Sequence, residues 1–263
     1  MISLQQLKAD KRYSVLAAVW VLLAYNLFVV SGNSSFLLPA VIVILFTAFV
    51  DVVFVHFIFK PRELLKSLEF EFPLSALVSG SIIAAVITPA FNTIYIPLTA
   101  GVFAMGSKHL LRIKAGHIFN PANFGILAVT IFSLLHFVPS SQTWWAASPF
   151  WLVIILGLFV VYRINGWLAS VPFLVFLSLA GLNSGISLAS VLGPFISGSF
   201  LFFAGIMLIE PMTSSRSPNA KIAYGVIAAV FSYFLASPFP DLSFVGALAL
   251  ANIAAKPLDK YVH

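Results

Sequence analysis

Long apolar runs separated by short polar or basic turns recur along the whole chain. They occupy 14–31, 36–58, 74–91, 94–108, 120–138, 148–162, 167–182, 195–211, 219–236 and 241–255. Each is built of Leu, Ile, Val, Phe and Ala without period-two alternation, a pattern that predicts helices and excludes barrel strands. About 20 apolar residues in a helix cross a hydrocarbon core, and backbone in lipid must satisfy its own hydrogen bonds. The pattern therefore predicts an all-α integral membrane protein of ten transmembrane helices. Runs six and seven are short, so tilt, a break or partial re-entry is expected there.

The basic residues give an independent check, because Lys and Arg should collect in alternate loops if the count is right. Lys8, Lys11 and Arg12 precede the first run; Lys60, Arg62 and Lys66 follow the second; Lys108, Arg112 and Lys114 follow the fourth. Arg163 follows the sixth, Arg216 and Lys221 flank the eighth-to-ninth turn, and Lys256 and Lys260 follow the tenth. These are all 14 Lys and Arg of the chain, and the opposite loops (31–35, 91–93, 139–147, 183–187, 237–241) hold none. The sorting predicts both termini on the cytoplasmic side of the membrane. The whole chain reads as one membrane domain: a cytoplasmic segment 1–13, a first five-helix unit 14–138, a second 148–255 and a cytoplasmic tail 256–263. Glu63, Lys66, Glu69 and Glu71 predict an interfacial stretch before the third run. No A-x-A site follows the first run, which is read as a retained span rather than a signal peptide.

With 61% hydrophobic and 8% charged residues, the chain could not cover a water-soluble surface. Its net charge of +6 follows from positive-inside sorting and contact with anionic lipid, and no nucleic-acid footprint accompanies it. The absence of cysteine excludes disulfides, thiolate metal sites and iron–sulfur clusters. No metal site is expected.

Two five-span halves of opposite orientation leave a trace. Ser79-Gly80-Ser81 opens the third run, which closes at Ile87-Thr88-Pro89; Ser197-Gly198-Ser199 opens the eighth, which closes at Ile209-Glu210-Pro211. These are corresponding spans of two inverted repeats. Close packing of small residues is the plainer account of the same motifs.

Polar groups at membrane depth are costly and mark function. Asp51, inside the second run, could relay protons or bind a cation, or could accept hydrogen bonds from a Ser or Asn of a neighbouring helix. His136 reads as an interfacial residue. On the cytoplasmic side, Asn120 before Pro121 is a helix N-cap with proline at the first helical position. The helix N-terminus there suits a phosphate or a ring carbonyl, and Asn123 lies on nearly the same face. Glu210, Thr213 and Ser214 form a second cytoplasmic cluster with Arg216, either a site made from broken-helix ends or a polar turn at the headgroups. Soluble-enzyme signatures are missing, and the five scattered histidines do not suit haem. Redox chemistry would need a cofactor such as a flavin.

These motifs resemble a known family, RnfD/NqrB, whose members are membrane subunits of the Rnf electron-transport complex and of the sodium-pumping NADH:quinone oxidoreductase. The resemblance lies in Ser79 to Pro89, in Phe119-Asn120-Pro121-Ala122 and in Ile209-Glu210-Pro211-Met212-Thr213, where Glu replaces the family's Asp. It extends to Pro240-Asp241, Ala249-Leu250-Ala251-Asn252-Ile253 and Pro257-Leu258-Asp259. It implies two inverted five-helix repeats, an architecture related to urea and ammonium channels, and electron transfer through flavin within a larger complex. By the same resemblance, Asn120, Pro121, Asn123, Glu210, Thr213 and Ser214 would line a flavin or quinone site. The chain departs from the family at 138–145, where the S-G-A-T acceptor of covalent FMN is missing and only Ser140-x-x-Thr143 echoes it. Any riboflavin or FMN is therefore expected to be noncovalent, and Trp144 and Trp145 read as interface anchors.

The expected function is a membrane subunit passing electrons from a cytoplasmic flavoprotein reductase to quinone or an extracytoplasmic acceptor. The alternative is a transporter or channel for a small solute or for flavin itself.

Overall fold

The computed structural model describes residues 10–30, 34–58, 73–113, 116–185, 187, 193 and 197–262. Lys8, Lys60, Arg62, Lys66, Lys114 and the expected interfacial stretch with Glu63, Glu69 and Glu71 lie outside them. The helices follow the apolar runs: α1 (Arg12–Tyr25, prolonged by a π turn Asn26–Val30), α2 (Leu37–Ile58), α3 (Leu74–Val86), α4 (Tyr95–Leu110) and α5 (Pro121–Leu134). Then come α6 (Phe150–Ile164), α7 (Trp167–Asn183), α8 (Gly198–Phe202, continued by a π turn Phe203–Met207), α9 (Pro218–Ala236) and α10 (Ser243–Tyr261). A two-residue hairpin, β1 (Arg112–Ile113) with β2 (Gly116–His117), joins α4 to α5. It was not foreseen: the pattern carries no strand signal, and Gly116 supplies the φ of +126° that the turn requires.

Local chemistry explains most boundaries. Asn120 caps α5 by accepting the Asn123 N–H, with Pro121 in the first helical position. Ser217 and Pro218 repeat the device on α9, the serine accepting the Ala220 N–H. α3 stops at Val86, five residues before the end of its apolar run, because Ile87 turns extended ahead of Thr88-Pro89. The interrupted helices are therefore α3 and α8, whereas α6 and α7 run 15 and 17 residues with Pro172 inside α7.

Among the described residues, four segments are long and apolar enough to cross a membrane: Arg12–Val30, Leu37–His56, Pro218–Ala236 and Pro240–Tyr261. Shorter apolar helices fill the space between them. Large apolar side chains point outward, among them Phe28, Leu45, Phe49, Leu158 and Leu179, while alanines and small polar groups pack inside. Such a surface is unstable in water and natural in lipid. The chain is an all-α integral membrane protein.

Helix packing follows a pattern. α1 contacts α3 as α6 contacts α8; α2 contacts α4 as α7 contacts α9; α4 lies on α5 as α9 lies on α10. α1 also meets α6, and α5 meets α10. Two glycines take equivalent close seats between helices: a Cβ on Gly125 would sit 2.1 Å from the Ala100 carbonyl oxygen, and one on Gly225 would sit 2.2 Å from that of Ala169.

The α5–α6 connection enters the protein. The last carbonyls of α3 have no helical partner and must find donors. Trp145 Nε1 donates to the Ala84 carbonyl at 2.6 Å, Ala146 N–H to Ala85 at 3.2 Å, and the Thr143 and Trp144 N–H groups to Val86 at 3.0 and 2.8 Å. Asn26 holds the loop from α1 by donating to the Ala146 and Ser148 carbonyls. Trp145 is thus a helix cap, and the Trp144 ring sits edge-on to Phe202 and Phe244 rather than anchoring at headgroups.

Candidate functional site

The two polar clusters singled out in the sequence, 90 residues apart, meet at one cleft (Asn120 and Glu210). Its volume is about 350 Å³ with its open mouth included. The polar lining comes from Arg12 at the start of α1, Ser75 and Ser79 of α3, Asn120 and Glu210. Val15, Val78, Ile82, Pro121 and Pro211 supply apolar walls. The two X-Pro steps face each other because one begins α5 and the other ends the interrupted α8.

Of the six residues expected at a cofactor site, Asn120, Pro121 and Glu210 line the cleft, and Asn123, Thr213 and Ser214 are buried and do not. Asn120 is fully engaged. Its backbone N–H donates to Asn252 Oδ1 at 2.9 Å, its Nδ2 donates to the Met207 carbonyl at 3.3 Å, and its Oδ1 accepts the Asn123 N–H. Asn123 Nδ2 donates to the Val245 carbonyl at 2.8 Å, whereas its buried Oδ1 has no hydrogen-bond partner among the described residues. Thr213 donates its hydroxyl to Glu210 Oε2, and Ser214 N–H donates to the Glu210 carbonyl. The Thr213 hydroxyl thus fixes the carboxylate that faces the cleft.

Sequence reasoning missed several residues here. Asn252, fully buried on α10, accepts from Asn120 and donates to the Tyr224 hydroxyl at 2.8 Å, tying α5 to α9 and α10. A lone Asn within an apolar run was the available signal. Arg12 entered only the charge count, yet it lines the cleft and is held by Asp10, with Nη2 to Oδ2 at 2.6 Å. That hydrogen-bonded guanidinium keeps the Asp10 carboxyl below the usual carboxylate range. His117, on β2, places Nε2 3.9 Å from Glu210 Oε1.

Asp51 lies away from the cleft, between α2 and α4. Lys108 Nζ donates to both carboxylate oxygens at 2.8 and 2.9 Å, and His109 Nε2 lies 2.6 Å from Oδ1. Phe54 stacks on the His109 ring. The partners are charged or titratable, not the Ser or Asn considered from sequence, and Lys108 belongs to the last turn of α4 rather than to the loop after it. A carboxylate between two basic groups can be buried where an isolated one could not.

Three of the described basic residues, Lys11, Lys221 and Arg216, lie at helix ends and are held by neighbouring elements. Lys11 Nζ donates to the Ile164 carbonyl and Lys221 Nζ to that of Asn165, bringing together the start of α1, the end of α6 and the start of α9. Asp259 near the end of α10 accepts the Arg216 N–H at 2.6 Å.

Fold and site together define a multi-helix membrane protein with a polar cleft assembled from two proline-broken segments. Among known proteins the chain is similar to the RnfD-type subunits of ion-translocating oxidoreductase complexes. It is 29% identical over 127 residues to the one from Haemophilus influenzae strain PittEE, covering 46% of this chain and 35% of the relative. For Haemophilus ducreyi the identity is 30% over 112 residues, 40% of this chain and 32% of the relative. For Actinobacillus pleuropneumoniae serotype 5b it is 29% over 144 residues, 52% and 39%. These values establish a distant relationship over roughly half the chain, and the matched part spans 32–39% of those relatives' length. No protein-family model matches.

Proposed function

We propose that the chain is a membrane subunit of an electron-transport assembly, working with a cytoplasmic flavoprotein reductase or other electron-transport subunits in a bacterial inner membrane. The observation that carries this reading is the meeting of Asn120-Pro121 and Glu210-Pro211 on one cleft, in a chain related to the RnfD-type subunits of ion-translocating oxidoreductase complexes. In the sequence all 14 basic residues fall at or beyond the same alternate ends of the apolar runs, which supports cytoplasmic termini and a cleft open to the cytoplasm. The matched helix contacts of α1–α5 and α6–α10, and the equivalent glycine seats at Gly125 and Gly225, support two inverted five-helix repeats.

The cleft suits a planar ring that is apolar on its faces and polar at its edge. The mix of polar edge and apolar wall in the lining favours the edge of a noncovalent riboflavin or FMN ring, or of a quinone head, presented at the open mouth. Arg12 offers donors and Glu210 an acceptor to that edge, while Pro121, Val78 and Ile82 hold the faces and exclude water. A bound flavin would supply one- and two-electron transfer. The purified protein should carry a flavin absorption band or quench riboflavin or FMN fluorescence on titration, with binding weakened in Arg12→Gln. Colourless protein that binds neither flavin nor quinone would refute the reading.

A second reading is transport of a small solute or of flavin. The interrupted helices α3 and α8 favour it, since transporters build substrate sites from such breaks. Uptake into proteoliposomes without any redox partner would decide for it.

A further inference from the structure

His117 is buried, with its side chain 9% exposed, yet Nε2 has no hydrogen-bond partner among the described residues. The group it faces is Glu210, whose Oε1 lies 3.9 Å away. A hydrogen bond needs about 2.7–3.2 Å, so a shift of about 1 Å would bring the two atoms into direct contact. Thr213 holds the other carboxylate oxygen, so Oε1 is the one turned to the histidine.

We propose that His117 Nε2 and Glu210 Oε1 form a single proton-binding site, with His117 behind the Glu210 carboxylate that lines the cleft, which takes a proton from the open mouth through Glu210 and presents it to a basic atom of a molecule held there. The proposal rests on the cleft being a ligand site. With the proton on Nε2, imidazolium and carboxylate draw together into a charge-assisted hydrogen bond. The proton then passes to Oε1 and on to a lone pair of the ligand, leaving neutral His117 and ionised Glu210. A proton from water at the mouth returns to Nε2 through the Glu210 carboxylate, which lines the cleft. No electron moves in this step, so the pair serves any ligand that gains basicity while bound.

Other charges surround the pair. Arg12 from α1, Tyr224 from α9 and Lys256 from α10 act electrostatically on Glu210. Asp10 partners Arg12, Asp259 and Arg216 act on Lys256, and Arg112 is the cross-strand neighbour of His117. None of these hydrogen-bonds to His117 Nε2, which leaves Glu210 as its partner among the described residues.

The test is NMR of the full chain in lipid nanodiscs with histidine carbon-13 labelled at Cε1, the His117 signal being assigned by its loss in His117→Gln. Proton affinity of His117 should fall about tenfold in Glu210→Gln and recover in Glu210→Asp. A His117 signal that titrates identically in parent and Glu210→Gln overturns the proposal. If Glu210→Gln does not assemble, infrared difference spectra of the parent chain with labelled glutamate decide. A carboxylate band changing in the same pH step as the imidazole supports the pair, and separate steps overturn it. Neither measurement needs a ligand, so a failed flavin titration removes the cofactor reading alone, and an unresponsive His117 removes the pair alone.

Discussion

Asp51→Leu removes the carboxylate that Lys108 and His109 share and leaves an ammonium group at the inner end of α4. At 2.8 Å the Lys108–Asp51 attraction is about 6 kcal/mol at an effective dielectric constant near 20. Desolvation of both ions offsets most of that, so the pair itself adds little net stability. Removing one partner is different, because the other charge stays buried at a cost of about 3–5 kcal/mol. The Lys108 side chain is 19% exposed against 6% for Asp51, and its stem lets the ammonium reach toward headgroups. The loss should therefore fall near 3 kcal/mol, a drop in Tm of about 10 °C for a chain of this length. The double variant Asp51→Leu with Lys108→Met replaces the pair by apolar groups and should recover most of the loss. Thermal unfolding in detergent micelles, with both variants and the parent compared, measures both numbers. If Asp51→Leu melts with the parent, or the double variant melts no higher than the single, the buried-pair argument is wrong.

Two further substitutions test the packing. Gly125→Ala places a methyl 2.1 Å from the Ala100 carbonyl oxygen, so α4 and α5 must part. It should cost at least the roughly 1–3 kcal/mol of an overpacked core, whereas Gly106→Ala, with its nearest contact 3.8 Å away at Phe54, should melt with the parent or slightly above it. Trp145→Phe keeps the ring but loses the N–H donated to the Ala84 carbonyl. About 1–3 kcal/mol should follow from that unsatisfied carbonyl, read as a lower Tm and as faster hydrogen exchange at the end of α3.

The apolar runs, the Asn120-Pro121 cap and the sorting of Lys and Arg are local signals. They located the helices to within a few residues because lipid leaves a backbone few alternatives. The sequence also picked out Asn120, Pro121 and Glu210, since a polar residue beside a proline at membrane depth is conspicuous in one dimension. What fills the end of α3 was not legible: its carbonyls are capped from a loop some 60 residues away, and no spacing rule connects Ala84 with Trp145. Asp51 was recognisable as a buried charge, but its partners on α4 depended on two helices lying side by side. His117 and Asn252 became significant for the same reason, because burial and the missing or satisfied hydrogen bond belong to the packed molecule. The chain by itself determined where it is helical and which polar groups are expensive. Tertiary structure decided how each expensive group is satisfied, because hydrogen bonds and ion pairs act over about 3 Å between residues that the chain keeps tens of positions apart.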